Sequence, residues 1–445
     1  MPINKQVKVL EGRELRCKVP ATAQVMEAPS KDNPKPINVV FDGKNGDGQP
    51  DHFVLTEKQL SQHLMSLGSI GSGKTNTFDL ILQSIIPQLT PKDVMIIFDT
   101  KGDFFKKFYK PGDIVISNDS TATGSSGPDY WNIINELDDD RYLNENIIEI
   151  ANALFANRIK RSNDTFFPQA ARDIVTAVLF HFVKNKSKIH SNNRILSDCF
   201  NSSSLEWFSA LLASYNQFSA MKSYIPADAP GQALGVLAEI QQTTRQVFVG
   251  NFAKAGTLSV RNLVRNKGGK KIFIEYDIGV GSMLTPIYSL LFDLAIKEAL
   301  CRDKSDGNVF FVVDEFKLLP NLQHIDDAVN FGRSLGLKFM IGIQNTDQII
   351  NIYNENMAKN IFSGFLNQFA FKVSDYSTRN YVKERAGQNR KCTTLKTISV
   401  QDNIETANVV EDWDVANLEP GEAIVMLNES DPFRFTFNEF KGKGK

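Results

Sequence analysis

Between residues 68 and 75 the chain reads GSIGSGKT. Gly68 and Gly73 bracket four residues, Ser69, Ile70, Gly71 and Ser72, and Lys74 and Thr75 follow directly. This spacing suits a phosphate cradle. The glycines let backbone N–H groups turn inward, and a helix starting at the lysine adds its positive end. In such a loop Lys74 would reach the β- and γ-phosphates of ATP, and the Thr75 hydroxyl would bind Mg²⁺. The alternative is a chance glycine loop. The flanks favour the cradle, with the apolar run HLMSL before it and the helically spaced TNTFDLILQSIIPQL after it.

A second group of candidates lies some 240 residues on. In FFVVDE (310–315) four apolar residues deliver Asp314 and Glu315 to the end of a strand. Ligands bind at the carboxyl ends of strands in open α/β sheets. Asp314 is placed to complete the Mg²⁺ shell and Glu315 to act as general base on the attacking water. A base directly after the aspartate points to an ATPase that does mechanical work more than to a metabolite kinase. Gln344 follows another apolar run, KFMIGI, and could sense the γ-phosphate and position water. In the competing reading this stretch only caps a helix through Asn345 or Thr346. Arg333, in NFGRSLG, is too far along the chain to serve its own loop easily. It is either a trans-acting arginine for a neighbour's site or a surface residue at a helix carboxyl end.

These residues need a scaffold. HLMSL, VMIIF (94–98), KKIFIEYD (270–277), FFVVDE, KFMIGIQ and QFAFKV (368–373) read as buried strands of a parallel α/β sheet, with GEAIVML and FRFTF closing it. Residues 1–60 form a β-rich, turn-rich segment containing VKVL, INVVF and HFVL. The turn FDGKNGDGQPD (41–51) fails as a calcium loop, because Lys44 and Asp47 stand where a ligand and a glycine are required. It is expected to be a hairpin turn. Residues 140–245 have helical spacing throughout and read as an all-helical insertion. The sheet domain is thus expected over 61–139 and 246–440. TPIYSLLFDLAIKEAL (285–300) is too short and too charged to span a bilayer and reads as a core helix. The closing KGKGK is expected to be frayed and solvated.

Composition narrows the field. The 445 residues are 42% hydrophobic and 23% charged, with a net charge of -1. That is ordinary globular composition, and any contact with nucleic acid must be local rather than global. The four cysteines are scattered and the five histidines form no metal-binding spacing, which points to a reducing compartment and away from a zinc site. MPINKQVKVLEGREL lacks the apolar region of a signal peptide.

Taken together, HLMSLGSIGSGKT, MIIFDTKGDF, FFVVDEFKLLPNL and the run from FGRSLG through IQNTDQI to VKERAG resemble the TraG/TraD-type coupling proteins of conjugation and type IV secretion, within the FtsK/HerA superfamily of DNA-pumping ATPases. The resemblance spans about residues 60 to 430, and DTFFPQAARDIVTAVLFHF matches the start of that family's helical domain. It implies a RecA-like P-loop NTPase fold and a homo-oligomeric, hexameric ring, with ATP and Mg²⁺ between subunits and DNA in the channel. Lys74 and Thr75 match the phosphate-binding pair, Asp314 and Glu315 the hydrolytic pair, Gln344 the sensor and Arg333 the arginine finger. Asp99 and Lys101 match an acid-x-lysine pattern, although Asp99 could equally cap the turn before Gly102. Family members usually carry amino-terminal transmembrane helices, and this sequence shows none. The expectation is therefore a cytoplasmic protein, reaching the inner face of the membrane only through relaxosome or secretion-channel partners.

Candidate DNA-contacting runs are NRIKRSN (157–163), KNKSK (184–188) and RNLVRNKGGKK (261–271), and Lys317 either faces a pore or pairs with an acid. Three functions compete. The first is a DNA-moving ATPase ring, serving transfer or, in HerA fashion, a defence system. The second is an adaptor that hands protein substrates to a secretion machine. The third is a metabolite kinase.

Overall fold

The computed structural model describes residues 4–31, 33–118, 129–137, 142–185, 191–301, 307–396 and 400–442. The strands are β1 (Asn4–Glu11), β2 (Asn38–Asn45), β3 (Pro50–Thr56), β4 (Leu64–Leu67), β5 (Val94–Asp99), β6 (Ile114–Ile116), β7 (Lys270–Glu275), β8 (Val309–Val313), β9 (Leu337–Ile343), β10 (Asn367–Phe371), β11 (Gln388–Lys396), β12 (Val400–Asn408), β13 (Glu422–Met426) and β14 (Phe433–Phe437). Eleven of them form one sheet in the order β3-β2-β14-β13-β10-β4-β9-β8-β5-β7-β6. From β10 to β6 every pairing is parallel. The other four strands add an antiparallel edge. Every residue of β4, β5, β8, β9 and β10 is buried, as runs without polar alternation require of strands covered on both faces.

The amino-terminal segment is shared between two sheets. β1 pairs with β11 and, beyond it, β12 in a separate three-stranded sheet. β2 and β3 form the hairpin expected around residue 46 and join the edge of the main sheet through β14. Phe41 and Phe53 stack there at 4.7 Å and meet Phe369, Phe435 and Phe437 edge-on.

The helices that matter for the site are α1 (Glu57–Leu60), α2 (Lys74–Ile85), α3 (Asp103–Phe108), α4 (Leu143–Arg161), α5 (Phe166–Lys184), α6 (Asn193–Ser202), α7 (Leu205–Ala213), α8 (Pro230–Val247), α9 (Val260–Asn266), α10 (Gly281–Leu300), α11 (Ile325–Phe331) and α12 (Thr346–Tyr353). α2 and α3 cover one face of the sheet, over a core that includes Phe78, Ile81, Ile97, Phe273 and Val312. α4 to α12 lie against the other core, which joins the helical region to Phe98, Ile274, Phe311 and Ile341. The helical excursion leaves after the edge strand β6 and returns at its neighbour β7. It runs past residue 245, because α8 ends at Val247 and α9 follows before β7. α10 is the core helix expected from TPIYSLLFDLAIKEAL.

Glu149 of α4, Asp293 of α10 and His324 before α11 bring potential ligand atoms within 4.8 Å of one another. Their bonds are already made within the protein. His324 Nε2 lies 2.8 Å from Glu149 Oε1, the Lys297 ammonium takes the other Glu149 oxygen, and Asp293 Oδ1 accepts from the His324 N–H at 3.0 Å. The cluster ties the helical region to the loop that follows β8. Burial lifts the Asp293 carboxyl to about 6.

Candidate active site

The loop 68–73 leaves β4 between its two parallel neighbours and is pinned to both. The Gly68 N–H donates to the Ile343 carbonyl at 3.2 Å and the Ser69 N–H to the Lys372 carbonyl at 2.9 Å. Gly71 and Gly73 take φ of 76° and 115°, values that side chains rarely adopt. Gly68 is required for a different reason, since a Cβ there would sit 2.4 Å from Ser72 Oγ. No side chain caps the amino end of α2 at Gly73, so the first-turn N–H groups of the helix face the loop as anion donors.

Lys74 folds into this loop. Its Nζ donates to the Gly68 carbonyl and, at 3.1 Å, to the Ser69 carbonyl. Burial lowers its basicity, against the pull of Asp314 and Glu315. Thr75 Oγ1 donates to Asp314 Oδ2 at 2.7 Å. Asp314 is buried, and burial raises its carboxyl above the ordinary aspartate value, with the Thr75 bond and Lys74 opposing. Its Oδ1 has no hydrogen-bond partner. A hydroxyl and a carboxylate with an unengaged buried oxygen are a hard-cation donor set, and Mg²⁺ fits it.

β8 and β9 are paired in parallel, which sets their following residues side by side. Gln344 Nε2 donates to Glu315 Oε2 at 2.7 Å. Lys317 Nζ approaches the other Glu315 oxygen at 3.6 Å, so Lys317 pairs with an acid. Asn345 caps α12 by accepting from the Gln348 N–H. Capping therefore falls to Asn345 and leaves the Gln344 amide to Glu315, so the two readings do not compete. Asp99 accepts from the N–H groups of Lys101, Asp103 and Phe105, at 3.2, 3.1 and 2.7 Å. That is the turn-capping arrangement.

Arg333 is not brought to this constellation. It is exposed in the short helical turn Gly332–Leu335, and the chain reverses at Gly336 to enter β9. It thus lies at the amino end of the strand whose carboxyl end carries Gln344. Seven residues of strand separate the two ends, roughly 20 Å.

Among the described residues the basic runs are used in different ways. Arg261 is buried and, with Arg265, binds Glu298. Lys271 is buried on Asp113 at 2.8 Å, and Lys267 is buried too. Three of the five cations in 261–271, Arg261, Lys267 and Lys271, are thus built into the fold, while Arg265 and Lys270 stay exposed. Arg158 pairs with Glu239, while Lys160 and Arg161 are exposed at the end of α4. Lys184 lies over the Phe180 ring, and residues 186–188 of the second run, like 443–445 of KGKGK, lie outside the described residues.

Sequence reasoning missed the rear wall of the loop. The Gly421 N–H donates to the Ser72 carbonyl at 2.9 Å, and Gly73 packs so closely on Gly421 that a Cβ would meet its Cα at 3.0 Å. Asn76, one residue past Thr75, bonds the segment after β14. Its place directly after the motif was the one available signal.

A family model described as the type IV secretion-system coupling protein DNA-binding domain matches residues 53–427. The coupling protein TraD of Escherichia coli (strain K12) is 20% identical over 396 residues, 85% of this chain and 52% of that protein. The coupling protein VirD4 of Bartonella henselae is 26% identical over 268 residues, 55% of this chain and 40% of that protein. The chain therefore spans about half or less of the length of these relatives. Among solved structures, the unbound monoclinic form of the bacterial conjugative coupling protein TrwBdeltaN70 superposes with a TM-score of 0.73 at 17% identity, covering 88% of this chain and 87% of that one. The plasmid coupling protein TrwB in complex with ADP and Mg²⁺ gives 0.71 at 17% identity, covering 100% and 97%. The likeness establishes the fold as a RecA-like P-loop NTPase sheet with a helical insertion. No helix of the described residues is long and apolar enough to cross a membrane.

Proposed function

We propose, for a chain that belongs to the type IV secretion-system coupling protein family, that it hydrolyses ATP and uses the energy to move DNA as part of a ring. The bond from Gln344 to Glu315 carries the reading. It places a polarising amide and a carboxylate together at the strand ends beside the phosphate loop, where an attacking water must be held. In this scheme Lys74 and the loop N–H groups bind the phosphates. Thr75 and Asp314 hold Mg²⁺, which neutralises developing phosphate charge when bound. Glu315 takes the proton of the water that Gln344 orients.

A metabolite kinase would need a substrate lid and would show no stimulation by DNA. The test is steady-state ATP hydrolysis with and without DNA at low and high salt. Strong stimulation that disappears in salt is the expected result, because DNA contacts release counterions. Activity that ignores DNA at every salt would favour the adaptor reading.

The exposed position of Arg333, across the sheet from its own loop, supports service to a neighbouring site. Arg333→Ala is expected to leave ATP binding near wild type and lower turnover by about 10³-fold. In rings mixed from wild-type and variant chains, activity should depart from proportionality to the wild-type fraction. Strict proportionality would argue against a trans role.

A further inference from the structure

On the hydrolytic reading proposed above, Glu315 and Gln344 would face the γ-phosphate and the first turn of α2 the α-phosphate, so the nucleoside would leave past Thr75, toward Asn76. That exit is already lined. Asn76 Nδ2 donates to the Asn438 carbonyl at 2.9 Å, and the Phe440 N–H donates back to Asn76 Oδ1 at 2.7 Å. The side-chain amide thus pairs with the backbone of 438–440 as a neighbouring strand would, and fixes that segment across the start of α2. The pairing also places an aromatic group. The Phe440 ring is half-buried, 5.6 Å from Phe108 and 5.5 Å from the Lys107 ammonium. Lys107 is held in turn by Asp79 of α2 at 2.7 Å. Three elements, α2, α3 and the segment after β14, so converge beside the residue that follows the phosphate loop. No part of the hydrolytic scheme uses Asn76, Lys107 or Phe440.

We infer that residues 438–440, held by Asn76, form the nucleoside-side wall of the ATP site, and that Phe440 supplies an aromatic surface for the base. The inference rests on the nucleotide reading of the loop. Rings are sequence-tolerant platforms for bases, because every base has a π face. The wall would therefore add affinity for a nucleoside triphosphate while leaving its triphosphate moiety untouched.

The experiment compares ATP with inorganic tripolyphosphate, each with Mg²⁺, by calorimetry on the full chain. Phe440→Ala is expected to weaken ATP roughly tenfold, the low end of what a stacked base contributes, and to leave tripolyphosphate within about twofold. Phe440→Tyr, which keeps the ring, should retain wild-type affinity for both. Asn76→Ala frees the segment and should repeat the ATP-selective loss. Equal loss for both ligands would mean a merely structural role and overturn the inference, as would unchanged ATP affinity in Phe440→Ala. Wild-type protein that binds neither ligand would overturn the nucleotide reading itself, whereas wild-type binding of both with no selective loss would overturn only the wall.

Discussion

A chain carrying Glu315→Gln is expected to bind Mg²⁺–ATP with near-wild-type affinity and to hydrolyse it about 10²- to 10⁴-fold more slowly. The substitution keeps the size of the side chain and removes only the proton acceptor. Lys74, Thr75 and the loop glycines, which would hold the phosphates, do not depend on it. The Gln344 amide, now 2.7 Å from a carboxylate oxygen, can still donate to an amide oxygen. Lys317 loses the charge it faces at 3.6 Å, but it is partly exposed and can turn to solvent. Binding and turnover should therefore separate, measured by equilibrium titration and phosphate release on the same preparation. A variant that turns over at more than about a tenth of the wild-type rate would remove Glu315 from the role of base.

Glu136→Leu is expected to cost about 4 kcal/mol of folding stability, the largest loss foreseen for any position remote from the site. Glu136 is 1% exposed. Its two oxygens accept from Trp131 Nε1 at 2.7 Å, Ser259 Oγ at 2.9 Å, Val260 N at 2.6 Å and Arg261 N at 3.1 Å. Two of those donors open α9, so the carboxylate also sits at the positive end of a helix. Burial pushes its carboxyl above the ordinary glutamate value, and the four donors pull against that. Leucine fills the volume but orphans all four donors, each a penalty in a dry interior. Glu136→Gln, which keeps one acceptor oxygen, should lose less. Urea midpoints of the three proteins test the ranking. A loss under about 1 kcal/mol for leucine would mean that the donors find water.

Much of the candidate site's geometry was legible because its sequence signals are local. GSIGSGKT carries its own geometry in its glycines, and FFVVDE announces a buried strand with acids at its end. Even the Gln344–Glu315 contact followed from two apolar runs, each delivering one polar residue, once those runs lie parallel. Pairings between distant stretches were not legible. Asn76 with Asn438, and Ser72 with Gly421, join residues about 350 apart, each through a backbone carbonyl acceptor that leaves no mark in residue type. The basic run 261–271 was only partly legible for a related reason: Arg261 and Lys271 are buried on acids, while Arg265 and Lys270 stay exposed. Its cations read as a solvated or DNA-facing stripe until Glu298 and Asp113, far off in sequence, appear beneath them. Charge alone does not reveal whether its partner is a phosphate or a carboxylate of the same chain.

β9 has one further consequence. It is buried along its whole length and hydrogen-bonded to β4 on one side and β8 on the other. Such a strand is held along both edges, so its two ends are more tightly tied to each other than the ends of a loop would be. Arg333 precedes one end and Gln344 follows the other. In an assembly where Arg333 serves the next subunit, the strain of one firing site would travel down this rod to the adjoining site. Sequence of firing would then be set by lever mechanics, with each chamber cocked by the recoil of its neighbour.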